Sequence, residues 1–88
     1  MIEKEVVIIN NAGLHTRPAA TIVKIAAKYK CEFFIHKDGM HINGKSIIGV
    51  MTLAAEKGSK LKLSFDGIDQ EEACEAIVKY FEKGFDEL

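Results

Sequence analysis

The chain lacks tryptophan, has one proline and two cysteines, and contains no apolar run longer than Val6-Val7-Ile8-Ile9. A four-residue run falls far short of the roughly 20 residues that span a bilayer. Met1 is followed at once by charged residues and a strand-like segment, not by a signal-peptide pattern. Cys31 and Cys74 stand far apart with no Cys-x-x-Cys pattern, so both are read as reduced residues of a cytoplasmic protein. Neither charge sign is in excess. Twelve Lys and Arg against thirteen Asp and Glu leave a net charge of −1, which argues against nucleic acid as the main partner. A single proline, with no linker, repeat or low-complexity tract, leaves little room for long irregular loops.

What is present is 88 residues at 48% hydrophobic and 28% charged, the make-up of one small globular domain spanning 1–88. Residues 2–9 read as a strand with Val6 and Ile8 on one face and Val7 and Ile9 on the other. A helix follows from about Thr16 to Lys28, with Ala19, Ile22, Val23 and Ala26 at helical spacing. Glu32 to Lys37 is a second strand. Asp38-Gly39 makes a two-residue hairpin turn into a short third strand, Met40 to Asn43. Ser46 stands at an N-cap position before a second helix over Ile47 to Glu56, with Gly58 as its stop. Leu61, Leu63 and Phe65 alternate with Lys60, Lys62 and Ser64 in a half-buried fourth strand. Asp69 with Glu72 reads as a capping box opening a third helix, whose Ala73, Ile77, Tyr80 and Phe81 share a stripe. The order β-α-β-β-α-β-α predicts an α+β fold, a two-layer open-faced sandwich with three helices on one face of a four-stranded antiparallel sheet.

The chemistry concentrates in Gly13-Leu14-His15-Thr16-Arg17-Pro18-Ala19-Ala20. Pro18 reads as a helix-starting proline, because first-turn amides have no intrahelical acceptor to lose. His15 then sits beside unpaired backbone N–H groups and the positive end of a helix dipole, with Arg17 two residues on. That setting invites an anion and disfavours imidazolium, leaving a neutral ring as nucleophile. A nucleophile inside an anion site points to a histidine that carries a phosphoryl group, with Arg17 on the phosphoryl oxygens. The bland alternative for His15 is a helix-capping residue, and for Arg17 a solvated charge.

This run, the segment Lys45-Ser46-Ile47-Ile48-Gly49-Val50-Met51 and the element order resemble the HPr family, the histidine-containing phosphocarriers of the bacterial sugar phosphotransferase system. The resemblance covers essentially the whole chain. It implies that His15 takes a phosphoryl group from enzyme I, as a pros-phosphohistidine, and passes it to the IIA component of a sugar permease. It also implies that Ser46 is the site of an ATP-dependent kinase, the HPr kinase/phosphorylase, with a catabolite-control transcription factor as a further partner. Physically, a phosphate at a helix N-terminus meets favourable donors. It would add about two negative charges beside the docking surface, an electrostatic block without a conformational switch. Gly44 stands where family members often carry a larger apolar residue, and is expected to loosen the approach to Ser46.

Around the second helix, Val50, Leu53 and Ala54 form one arc and Ile47, Ile48 and Met51 a neighbouring one. The second arc is either a wide core face or an exposed apolar patch for partners, and the resemblance favours the patch. Leu14, Thr16 and Ala20 extend it, with Lys24 and Lys45 at the rim to meet acidic partners. In the hairpin, a two-residue turn sets His36 opposite His41 on the sheet face that also carries Phe34, expected to be exposed. Two imidazoles without a third ligand make a poor metal site, so no metal and no cofactor is assigned. Two readings compete with the phosphocarrier. One is a regulatory phosphoprotein of the same fold that is not coupled to sugar uptake. The other is a small metal- or amino-acid-binding module, which gives no reason for the His15-Thr16-Arg17-Pro18 run.

Overall fold

The computed structural model describes residues 1–88. Its elements run β1 (Ile2–Val7), α1 (Thr16–Ala26), β2 (Glu32–Lys37), β3 (Met40–Asn43), α2 (Ile47–Thr52), β4 (Lys60–Asp66), α3 (Gln70–Glu82) and a short 3-10 turn, Gly84–Asp86. The strands make one antiparallel sheet in the order β1-β4-β2-β3, so the last strand formed in sequence lies at its centre. Alternation decides which side is covered. Val6, Phe33, Ile35, Leu61, Leu63 and Phe65 point toward the helices and are buried, while Glu3, Glu5, Lys62 and His41 lie on the other side. The rings of Phe33 and Phe65, paired across β2 and β4, stack at 4.8 Å and 7° at the centre of the core. Such a pair adds about 1 kcal/mol beyond its area burial. Each helix contributes one stripe to this layer: Ala19, Ile22 and Ala26 from α1, Val50 from α2, Ala73, Ile77 and Phe81 from α3. The fold class is the α+β sandwich expected. No helix is long and apolar enough to cross a membrane. Cys31 and Cys74 are both free thiols in the core.

Several local expectations change. Both early helices end sooner than periodicity suggested. After Ala26 the amides of Lys28 and Tyr29 bond three residues back, to Ile25 and Ala26, closing α1 as a tight turn. The second helix stops at Thr52, because Ala54 takes a left-handed conformation (φ 47°) and leaves the arc shared with Val50 and Leu53 for the surface. That reversal puts the Ala55 carbonyl 2.9 Å from the Leu14 amide, locking the loop after α2 against the entry to α1. Gly13 is the residue this contact requires. Its φ is 72°, and a Cβ there would lie 2.7 Å from the Ala55 carbonyl oxygen.

Asp69 is not the side-chain cap of α3. Its carboxylate instead accepts hydrogen bonds from the Lys30 and Cys31 amides at 2.7 and 2.9 Å, tying α3 to the start of β2. Gln70, not Glu72, reaches back, accepting from the Gly67 amide at 3.1 Å. Gly44 does not loosen anything. It is buried beneath the Phe33 ring, which would lie 2.2 Å from an added Cβ.

Candidate functional site

Backbone geometry at the start of α1 makes the site. His15 is the N-cap residue, extended at φ −88° and ψ −171°, and its carbonyl accepts the first helical bond from the Ala19 amide at 3.0 Å. Its side chain caps nothing and is 38% exposed. Pro18 falls at the third helical position, not the first, yet the missing N–H is still one of the amides a helix start leaves unpaired. The amides of Thr16 and Arg17 therefore remain as the open donors. Pro18 and Ala19 are buried and anchor this end of the helix to the core, while the Arg17 side chain is exposed and enters no ion pair.

The sequence reading missed one member of the site entirely. The Glu87 carboxylate lies 2.7 Å from His15 Nε2, and its other oxygen accepts from Asn10 Nδ2 at 2.8 Å. Burial pushes the Glu87 carboxyl up. The hydrogen bonds from Asn10 and His15, with the charges of His15 and Arg17, outweigh it and hold the group below the ordinary carboxylate range. An ionised carboxylate only accepts, so Nε2 carries a proton; in the neutral ring the lone pair is then on Nδ1, which makes no hydrogen bond. The helix mouth is thus not purely cationic, as the local sequence implied. A carboxylate from 72 residues away occupies one side of the ring. No periodicity or motif near Glu87 announces this.

The chain places Glu87 there through an uncommon turn. Gly84, Phe85 and Asp86 all take φ of 60°, the left-handed region that costs non-glycine residues about 1–2 kcal/mol each. Phe85 offsets that cost by burial, its ring 5.2 Å from Tyr80 and 5.1 Å from Phe81. The buried anchor turns the chain end back across the start of α1.

Beside the imidazole, α1 packs on α2, and the two helices carry the expected docking residues on their outer surfaces. Thr16, Ala20, Lys24, Ile47, Ile48 and Met51 are exposed, Ile48 most of all at 78%. Two expected members are elsewhere. Leu14 is in the core at 5% exposed, because its amide is pinned to Ala55 and its side chain turns inward. Lys45 is half-buried, with its ammonium donating to the Tyr29 carbonyl at 2.6 Å, so it is tied to the connection between α1 and β2 and is not free at the rim. Ser46 is the N-cap of α2, its hydroxyl oxygen accepting from the Gly49 amide at 3.2 Å while the residue itself is exposed.

On the uncovered sheet face His36 pairs with His41 as the hairpin turn demands, ring centroids 4.3 Å apart and edge to face. Phe34 is half-buried, because the His41 ring covers it at 4.7 Å. Burial first, then the neighbouring His41 and Lys62, lowers the His36 pKa against a weaker pull from Glu3. His36 Nε2 lies 3.2 Å from the Ser64 hydroxyl, and no three His, Cys, Asp or Glu side chains converge as metal ligands.

Comparisons with known proteins agree with this architecture. Residues 2–83 match the family model described as the PTS HPr component phosphorylation site. The chain is 45% identical to the HPr-like protein Crh of Halalkalibacterium halodurans, across 94% of this chain and 99% of that protein. It is 41% identical to the phosphocarrier protein HPr of Treponema pallidum, over 99% of both. A crystal structure of HPr-C-His from Thermoanaerobacter tengcongensis superposes with a TM-score of 0.96 at 42% identity, covering 100% of this chain and 99% of that one.

Proposed function

The chain belongs to the HPr family of phosphotransferase-system phosphocarriers, and from that premise we propose that His15 is its phosphoryl-accepting residue, charged by enzyme I and discharged to IIA components of sugar permeases. The observation that carries this reading is the state of the ring: half-exposed at an open helix start, Nε2 engaged and Nδ1 free. In the transfer, the Nδ1 lone pair forms the new N–P bond as the bond from phosphorus to the donor's group breaks, and that bond's electron pair leaves with the donor. The product is a pros-phosphohistidine still protonated at Nε2. The Thr16 and Arg17 amides and the Arg17 guanidinium receive the phosphoryl oxygens, so that positioning and charge do most of the work. Beyond His15 and Arg17 the carrier supplies no further catalytic group, and its partners complete the reaction.

The exposed apolar centre of Ile47, Ile48 and Met51, beside Ala20 and Lys24, fits brief docking with several partners in turn. Ser46, at the edge of that patch, is the site proposed for the HPr kinase/phosphorylase, and the modified surface is the one a catabolite-control transcription factor would read. Incubation with phosphoenolpyruvate and enzyme I should give one acid-labile phosphate by mass spectrometry, and His15→Ala should abolish it. Label retained by that variant would overturn the assignment.

The alternative is a regulatory phosphoprotein of the same fold not coupled to sugar uptake, since the chain resembles an HPr-like protein Crh (45% identical) about as much as a phosphocarrier HPr (41%). Onward transfer from labelled protein to a sugar IIA domain separates the two.

A further inference from the structure

Asn10, three residues past β1, is a fully buried amide, and its hydrogen bonding is one-sided. Its Nδ2 donates twice, to the Gly13 carbonyl at 2.9 Å and to Glu87 at 2.8 Å, while its Oδ1 is buried without a partner. The orientation is forced, since the flipped amide would set Oδ1 against two acceptors. A buried amide oxygen left unpaired is a cost that most folds avoid, so the position calls for an explanation. A turn alone does not supply one. The bond to the Gly13 carbonyl uses only one amide hydrogen, and the Gly13 amide already closes the same turn on the Asn10 carbonyl at 3.2 Å. The second hydrogen goes to the carboxylate whose other oxygen holds the His15 ring. Glu87 in turn reaches this place only through three successive left-handed residues. Backbone strain and an unsatisfied amide therefore converge on a single contact, the one made to the imidazole.

We propose that Asn10 and Glu87 form a positioning relay, Asn10 Nδ2–H to Glu87 carboxylate to His15 Nε2–H, that fixes the ring's tautomer and plane so that Nδ1 faces the incoming phosphoryl group. This rests on His15 being the phosphoryl acceptor and adds the residues that orient it. A free neutral imidazole populates both tautomers and turns about its χ2 bond. The relay disfavours the neutral tautomer protonated at Nδ1, which has no lone pair to offer there. After transfer the ring carries phosphorus on Nδ1 and a proton on Nε2, a cationic arrangement that the same carboxylate stabilises. Asn10 and Glu87 touch neither donor nor phosphorus, so their role is orientation.

The test reads the unphosphorylated full chain by imidazole ¹⁵N NMR. Wild type should show an unprotonated Nδ1 and a slowly exchanging proton on Nε2 of His15. Glu87→Ala should move the two nitrogen shifts toward each other and lose the Nε2 proton signal. Asn10→Ala should do the same in smaller degree. Phosphorylation at saturating enzyme I should slow roughly three- to tenfold in each variant, with half-saturation unchanged. Glu87→Ala keeps the Asn10–Gly13 turn, so it remains informative if Asn10→Ala folds poorly. A wild-type ring protonated at Nδ1, or His15 shifts indifferent to Glu87→Ala, overturns the relay even if His15 is phosphorylated. Wild type with the expected shifts but no phosphate from enzyme I overturns the acceptor role and leaves the orientation standing.

Discussion

Gly44 and Phe33 show how one atom can decide a core. The Gly44 amide donates to the Phe33 carbonyl at 2.8 Å, and the Phe33 ring, 1% exposed and stacked on Phe65, lies over the glycine. Cβ at position 44 would meet ring carbons at 2.2 and 2.3 Å, and a ring packed on Phe65 has nowhere to withdraw. Gly44→Ala should therefore destabilise by about 1–3 kcal/mol in denaturant unfolding. Combined with Phe33→Val it should cost clearly less than the sum of the two single changes. The sequence showed Gly44 only as a small residue before Ser46. Its partner is eleven positions away on β2, and no local pattern links them.

At the scale of elements, ends are where sequence and structure part. The stripes of α1 and α3, the alternation in β4 and the Asp38-Gly39 hairpin were all legible, because periodicity and turn chemistry are local. Ser46 caps α2 as its residue type predicts. Asp69 looked equally like a cap, yet its carboxylate serves the connection between α1 and β2. A side chain with two acceptor oxygens goes where tertiary packing leaves unpaired amides. The Lys30 amide, opposed by burial and then aided by the Cys31 amide, holds the Asp69 carboxyl below its usual value. A folded value below the unfolded one means stability that is present above pH 3.8 and lost as pH falls further through the folded value. Melting temperature followed from pH 5 to pH 2.5 should fall steeply in the wild type. In Asp69→Asn the protein should be less stable at pH 5 and show a flatter fall.

For the whole molecule, the proposed transfer and docking depend on surfaces that lie far apart along the chain. The open end of α1, the outer side of α2 and the returning C-terminal segment meet because all three helices cover one face of one sheet. Ser46 is an exposed cap whose hydroxyl already faces an amide donor, so added negative charge there needs no rearrangement. Ser46→Asp should leave amide chemical shifts unchanged outside α2 and its neighbours. It should also lower the association rate with enzyme I about tenfold at low salt, with the deficit shrinking as salt rises. Amide shifts displaced throughout the sheet, or a salt-independent deficit, would contradict the electrostatic account.

By itself the sequence determined the element order, the fold class, the histidine at a helix start and the serine cap, because each is written in residue type and short-range spacing. It also marked Ile47, Ile48 and Met51 as apolar residues beyond what one buried stripe needs. Only the tertiary structure decided that Leu14 belongs to the core, that Lys45 bonds the connection after α1, and that Glu87, held by Asn10, reaches His15. The physical reason is the same in each case. A carbonyl, carboxylate or buried amide takes whichever partner packing brings within about 3 Å, and that partner can come from anywhere in the chain.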